Sequence, residues 1–263
     1  MLFRSKNSSV SEKSRGVVLF AKNTETIDYV TIAQRSARLI KHHLNLPVTI
    51  ITADSVSNNR RYNVDSNQFE SWNNLGRYQA YDLSPYDQTL LLDSDYLVLD
   101  SSLLTLLNTC DDYKIVRHNR YIDNTPTDTM GKYSIPHLWA TVVAFNKTAK
   151  SKMLFDFVAR VERNYAHYQR LYNISAGNFR NDYAFTIADL ALNGYTQDTT
   201  NYIPWNMLSV PSTIDSLVLR NNKLHIKTQN QGYVVPKQCI HIMSKSWLQS
   251  EQYEQFIKDV TGA

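Results

Sequence analysis

The chain has 263 residues, of which 43% are hydrophobic and 20% charged, enough to bury a core and ordinary for a soluble globular protein. Its formal net charge of +4 is weaker than a dedicated nucleic-acid binder usually shows, and no apolar run is long enough to cross a bilayer. Cys110 and Cys239 are its only cysteines, which excludes a disulfide framework and a cysteine-rich zinc module; both are expected to be reduced, in a cytoplasmic protein.

Residues 1–15 read as a flexible polar arm without the apolar centre of a signal peptide, and 16–263 as one domain. The sequons at Asn7, Asn146 and Asn173 are read as chance. Gly16–Ala21 is an apolar run typical of a buried parallel strand. Ile27, Val30, Ala33, Ala37, Ile40 and Leu44 then recur at helical spacing, Asn45-Leu46-Pro47 stops them, and Val48–Thr52 is β-branched. Strand, helix, strand is a βαβ unit and predicts a parallel sheet of the α/β class.

The aperiodic polar stretch 54–68 predicts a loop, and 69–83 a helix ending at Ser84-Pro85. Thr89–Leu92 is a buried strand that runs directly into Asp93-Ser94-Asp95, followed by a second apolar run, Tyr96–Leu99. A helix is expected over 101–109, a strand over 113–117, a polar lid or acceptor loop over 119–136 and a strand over 138–145. Helices follow over 148–172 and 181–193, the latter closed by Gly194. Asn221-Asn222 is a two-residue turn between strands 217–220 and 223–227. A short strand over 239–243 and a helix over 246–260 complete the reading.

The chemistry concentrates at Asp93 and Asp95. Ligands of open α/β sheets bind beyond the carboxyl ends of the strands, and the pair occupies that place. Spacing of i, i+2 lets both carboxylates lean toward one point as the chain turns out of the strand. Two carboxylates at one point repel unless a cation neutralises them; Mg²⁺ or Mn²⁺ does so with hard oxygen ligands and keeps positions open for phosphates. Two solvated aspartates on a surface turn are the plain alternative, but apolar runs on both sides set the pair at the edge of the core.

The segment from Arg77-Tyr78-Gln79-Ala80 through Ser84-Pro85-Tyr86-Asp87-Gln88 to Asp93-Ser94-Asp95-Tyr96-Leu97-Val98 resembles glycosyltransferase family eight, the glycogenin and lipopolysaccharide galactosyltransferase group. The resemblance implies a GT-A fold with a mixed, mainly parallel central sheet, residues 16–100 forming a nucleotide-binding half and 101–263 an acceptor-binding half. Leu19-Phe20-Ala21-Lys22-Asn23-Thr24 resembles the family's uracil and ribose pocket, implying nucleotide contacts from Phe20, Ala21, Asn23 and Thr24, with Tyr29 as a stacking partner. His137–Asn146 takes the place of its middle strand, and Asn181-Asp182-Tyr183-Ala184-Phe185 resembles its next helix start. Ile240-His241-Ile242-Met243-Ser244-Lys245-Ser246-Trp247 resembles its ending, where a histidine is the third metal ligand and a lysine meets the diphosphate. His241 is thereby implied as the ligand joining Asp93 and Asp95, with Lys245 and Ser94 on the diphosphate, and the imidazole inclines the choice toward Mn²⁺ over Mg²⁺. The alternative for His241 is a satisfied structural histidine. The sequence departs from the family where the middle strand has Trp139-Ala140-Thr141 in place of Asn-x-Gly, and where Ser246 replaces the proline of the ending.

By resemblance the donor is a nucleotide-sugar, a UDP-sugar, and transfer retains the anomeric configuration. Asp95 and Asp182 are the candidate catalytic carboxylates, with a helix N-cap or first-turn acid the equal alternative for Asp182. Arg77 either supports the metal carboxylates and diphosphate or lies on a solvated helix face. Asp54 is read as a solvated loop residue rather than a nucleoside contact.

The chain has 17 tyrosines, and between 113 and 183 they interleave with Arg, His and Asn. The plainer reading packs their rings into the core. The sharper reading is an acceptor surface for a polyanion, including hydroxymethylated pyrimidines in DNA, besides a glycan hydroxyl. A nucleotidyltransferase lacks support because no Gly-rich phosphate loop follows the first strand, and a catalytically silent carbohydrate- or nucleotide-binding protein stands as the other class. Oligomeric state is not legible.

Overall fold

The computed structural model describes residues 13–52, 60–63, 68–71, 75–125, 129–130, 135–175, 177–196, 199–229 and 231–262. Strand β1 (Arg15–Ala21), helix α1 (Tyr29–Leu44) and strand β2 (Val48–Thr52) form the expected βαβ unit, with β1 and β2 parallel. Asp28 starts α1 by accepting the Thr31 N–H at 3.0 Å, and Asn45 ends it in the left-handed region at φ 52°.

β3 (Arg60–Asn63) and β4 (Gln68–Ser71) pair antiparallel, which corrects the loop expectation at 60–63 and 68 and the helix expected from Phe69, while 54–59 and 64–67 lie outside the described residues. Short polar strands give no alternating apolar signal, so spacing alone could not find them. The helix shrinks to α2 (Ala80–Leu83) after one 3-10 turn over Arg77–Gln79, because Gly76 holds φ 83°, a conformation that no helix propagates. β5 (Gln88–Leu92), β6 (Tyr96–Leu97), α3 (Leu103–Thr109) and β7 (Tyr113–Val116) follow as read.

The expected lid over 119–136 contains β8 (Asn119–Tyr121), β9 (Thr129–Met130) and β10 (Ile135–Pro136), while 126–128 and 131–134 lie outside the described residues. β11 (Trp139–Asn146) is buried along its whole length. One helix over 148–172 becomes two, α4 (Ala149–Arg163) and α5 (Tyr165–Leu171). They part at Asn164, whose Nδ2 donates to the Arg160 carbonyl at 2.8 Å in competition with the helix backbone. α6 (Asn181–Leu192) is followed by Gly194 at φ 62°.

β12 (Tyr202–Ile203) and β13 (Met207–Val210) are too short to carry a periodic signal, and neither was anticipated. β14 (Ile214–Arg220) and β15 (Lys223–Thr228) form the predicted hairpin, to which β16 (Gly232–Pro236) adds an unanticipated third strand. β17 (Ile240–Ile242) precedes α7 (Lys245–Gln249) and α8 (Glu251–Thr261), which replace the single helix expected over 246–260. Ser250 separates them and caps α8 by accepting the Tyr253 N–H.

The central sheet has six strands in the order β12-β7-β11-β5-β1-β2. β11 runs antiparallel to both neighbours and the other pairings are parallel, so the sheet is mixed and mainly parallel, in an α/β fold. Its central strands are mostly apolar because both faces are covered. Val17, Leu19, Leu90 and Leu92 enter the core beside α1 and α3, whereas Val18, Leu91, Val143 and Phe145 enter the core beside α4 and α6. A second sheet, β6-β17-β13-β8, packs with α1, α8 and the β14–β16 hairpin in a third apolar cluster. No helix among the described residues is long and apolar enough to cross a membrane.

Candidate metal centre

Asp93-Ser94-Asp95 is the passage from one sheet to the other. At its start, the Asp93 N–H donates to the Thr141 carbonyl of β11 at 2.9 Å; at its end, the Asp95 carbonyl accepts the Ile242 N–H of β17 at 2.9 Å. Between them, the Ser36 hydroxyl of α1 donates to the Ser94 carbonyl and lies 3.0 Å from the Tyr253 hydroxyl of α8. The turn is therefore gripped by both sheets and by two helices, which fixes where its carboxylates point.

β17 pairs with β6 so that His241 lies opposite Tyr96, one residue beyond Asp95. A carboxylate oxygen of each aspartate and a ring nitrogen of His241 lie within 4.8 Å of one another. His241 Nε2 is 3.3 Å from Asp95 Oδ2, and Nδ1 is 3.2 Å from the Ser209 hydroxyl. Two ligands adjacent on one small divalent ion are about 3 Å apart, so these donors suit a shared cation of the Mn²⁺ or Mg²⁺ type. Asp93 is the most open of the three, its side chain 31% exposed. Burial of Ser94 and Asp95 departs from a solvated surface turn, while hydrogen-bond partners at both ring nitrogens keep a satisfied structural histidine as the alternative for His241.

Two cationic side chains bracket the carboxylates. Lys245, at the start of α7, donates to Asp95 Oδ2, and Arg77 donates to Asp93 Oδ1. Burial alone would raise the Asp95 carboxyl, but Lys245 and His241 outweigh it and hold it well below the usual carboxylate range. Burial raises the Asp93 carboxyl, Arg77 opposes it, and the negative Asp95 adds to the rise. Lys245 and His241 thus favour charge on Asp95, while charge on Asp93 is favoured by Arg77 and opposed by Asp95. Lys245 follows suit: burial would lower it, yet Asp95 raises it.

Arg77 is 6% exposed, which overturns the solvated-face reading. Its second guanidinium nitrogen donates to the Ala140 carbonyl at 2.7 Å. The Ala140 N–H in turn donates to Asp182 Oδ1 at 2.9 Å, and Arg180 donates to Asp182 Oδ2 at 2.8 Å. Asp182 therefore lies in the first turn of α6 but caps a strand N–H rather than its own helix. Burial pushes its carboxyl up, but Arg180, His137 and the Ala140 N–H pull it net below the ordinary value. The register of β11 shifts between Trp139 and Val143, so an irregularity turns the Ala140 and Thr141 backbone toward the site.

The nucleotide-pocket candidates divide. Tyr29 is close enough to Lys245 to act on its charge. Asn23 Oδ1 accepts the Val30 N–H at 2.9 Å and Thr24 Oγ1 the Ile27 N–H at 3.1 Å, so both side chains shape the β1–α1 turn. Ala21 is fully buried and Phe20 packs on the core beside α4, so neither side chain is presented by the turn, whereas Asn23 is exposed there. Asp54 lies outside the described residues. In the Tyr-rich stretch, Tyr113, Tyr168, Tyr172 and Tyr183 are buried. Sequence reading missed Ser209 and Asn119, which are on strands too short to be read; it counted Arg180 among the cations of the Tyr-rich stretch, whereas Arg180 pairs with Asp182.

No family model matches the chain, and no curated protein matches it. Among solved structures, it is similar to the glycosyltransferase GlyE of Streptococcus pneumoniae TIGR4, with 13% identity over 72% of this chain and 44% of that one, at a TM-score of 0.41. It is also similar to a glycosyltransferase involved in glycosylation of the major capsid of PBCV-1, with 10% identity over 75% of this chain and 82% of that one, at a TM-score of 0.36. The chain spans less than half the length of the GlyE structure. At such scores and identities, the functional conclusion is left to the geometry of the site.

Proposed function

We propose that the chain is a metal-dependent glycosyltransferase of the GT-A type, moving a sugar with retention from a nucleotide-sugar, a UDP-sugar, to an acceptor hydroxyl. The observation that carries this reading is the convergence of Asp93, Asp95 and His241 at the junction of the two sheets. When bound there, Mn²⁺ neutralises the carboxylate pair and the charge that grows on the departing diphosphate. Lys245 exchanges Asp95 for a diphosphate oxygen, and Arg77 holds Asp93 in place. The β1–α1 turn and Tyr29 take the nucleoside, so that residues 16–100 serve the donor together with His241 and Lys245, and the rest of 101–263 serves the acceptor. Asp182, kept ionised by Arg180, stabilises positive charge at the anomeric carbon.

The acceptor is a glycan or a hydroxymethylated pyrimidine in DNA. Burial of Tyr113, Tyr168, Tyr172 and Tyr183 removes four rings that would stack on an extruded base, which favours the glycan. The setting we infer is cytoplasmic.

Thermal-shift titration with nucleoside diphosphates and their sugars, with and without Mn²⁺, tests the reading, since a ligand of the folded state raises the melting temperature by mass action. Mn²⁺-dependent stabilisation and slow hydrolysis of one UDP-sugar are expected, both lost in Asp93→Ala and Asp95→Ala. Binding without hydrolysis or transfer would leave a nucleotide-sugar-binding protein. Absence of both metal-dependent binding and hydrolysis sinks the reading.

A further inference from the structure

We propose that Ser209 and Asn119 are positioning residues that hold His241 with Nε2 as its metal-facing donor, an inference that rests on the metal reading of Asp93, Asp95 and His241. The three residues stand on adjacent strands of the second sheet, Asn119 on β8, Ser209 on β13 and His241 on β17, with Ser209 and His241 in register. Ser209 is fully buried. Its hydroxyl donates to Asn119 Oδ1 at 2.7 Å and lies 3.2 Å from His241 Nδ1.

Proton accounting then sets the tautomer. An amide oxygen only accepts, so the single hydroxyl proton of Ser209 goes to Asn119. The Ser209 oxygen can then only accept from His241, and Nδ1 must carry the ring proton. That leaves the Nε2 lone pair facing Asp95 Oδ2 at 3.3 Å. Two acceptors facing each other at this distance repel, and a cation shared between them turns the repulsion into ligation.

The relay has a second self-consistent setting. With the Asn119 amide reversed, its NH₂ donates to Ser209, whose hydroxyl donates to Nδ1, and Nε2–H donates to Asp95. In that setting the imidazole is satisfied without an ion. Asn119 Nδ2 is buried without a hydrogen-bond partner among the described residues, so no other described group pins that end of the amide. The face that Asn119 shows to Ser209 selects between a metal-ready and a metal-free histidine.

Mn²⁺ binding, read by electron paramagnetic resonance of the free ion and by calorimetry, tests the relay apart from turnover. Ser209→Ala should weaken Mn²⁺ about 10–100-fold, the usual effect of losing a partner behind a ligand. Asn119→Asp presents only acceptors to Ser209 and should keep wild-type affinity or exceed it, whereas a packing role would make both variants lose. Should Ser209→Ala fail to fold, ¹⁵N chemical shifts of His241 in the wild-type protein with diamagnetic Zn²⁺ decide. Proton on Nδ1 and metal on Nε2 are expected; Nδ1 ligation, or an imidazole that Zn²⁺ leaves unmoved, overturns the relay. Wild-type Mn²⁺ affinity in Ser209→Ala overturns the relay and spares the metal site. A wild-type protein that binds no Mn²⁺ takes down the metal reading itself, and the relay with it.

Discussion

Arg77 and Asp182 grip one residue from opposite sides: Arg77 donates to the Ala140 carbonyl at 2.7 Å while Asp182 accepts the Ala140 N–H at 2.9 Å. Through Arg77 the same residue is tied to Asp93, so a candidate catalytic carboxylate and a candidate metal ligand share one strand irregularity. Asp182→Asn keeps an acceptor for Ala140 and loses the charge that Arg180 binds. Its folding stability should fall by no more than about 1.5–3 kcal/mol, the range for hydrogen bonds to charged groups. Turnover of the nucleotide-sugar should fall by about 10²-fold or more with donor KM little changed. Unaltered kcat would reduce Asp182 to a bracket for β11.

Asp95 and Lys245 form a pair whose side chains are only 11% and 22% exposed. Breaking such a pair leaves a charge with poor access to water. Asp95→Ala should therefore cost about 3–5 kcal/mol in urea unfolding. Adding Lys245→Met should restore part of that stability but none of the metal binding. A double variant no more stable than the single would mean that Lys245 finds another partner.

His43, at the end of α1, has its pKa pushed down to about 4 by burial, then by Lys237 and His42, against a smaller opposing pull from Asp100. The unfolded imidazole takes its proton near 6.5. Between those values the unfolded state binds more protons, so stability is full above about 6.5 and is lost as pH falls toward about 4. Melting temperatures from pH 4 to 7 should fall less steeply with acid in His43→Gln than in the wild type. Parallel curves would remove His43 as a source of the slope.

Asn221 and Asn222 both hold positive φ, 49° and 57°, in the two-residue turn between β14 and β15. Asn222→Val should cost about 1–2 kcal/mol, the strain of a left-handed β-branched residue. Asn222→Gly should be neutral or stabilising. Equal stability of the two variants in chemical denaturation would argue that the turn relaxes to another type.

How much of this was readable depends on length and burial. The βαβ start and the strand leading into Asp93 were legible because both faces of those strands are covered, which leaves continuous apolar runs. The hairpin was legible from Asn221-Asn222, whose tolerance of positive φ is local chemistry. β8, β13 and β17 have at most four residues each, and their meaning lies in lateral register, which a linear pattern does not encode. Hence His241 entered through resemblance, while Ser209 and Asn119 behind it did not enter at all. Arg77 looked like a helix-face residue because the left-handed bend at Gly76, which swings it inward, has no periodic signature.

Asp95 and His241 meet across 146 residues of chain, and so depend on one of the longest loop closures in the fold. Until β17 docks beside β6, the aspartates have neither the imidazole nor the ammonium that makes their proximity tolerable. An ion captured by the finished trio binds the native state and not the unfolded one, so it also works as a latch on folding. On the metal reading, divalent cation should slow unfolding as well as support turnover, and chelation should loosen the join between the sheets before it disturbs either sheet alone.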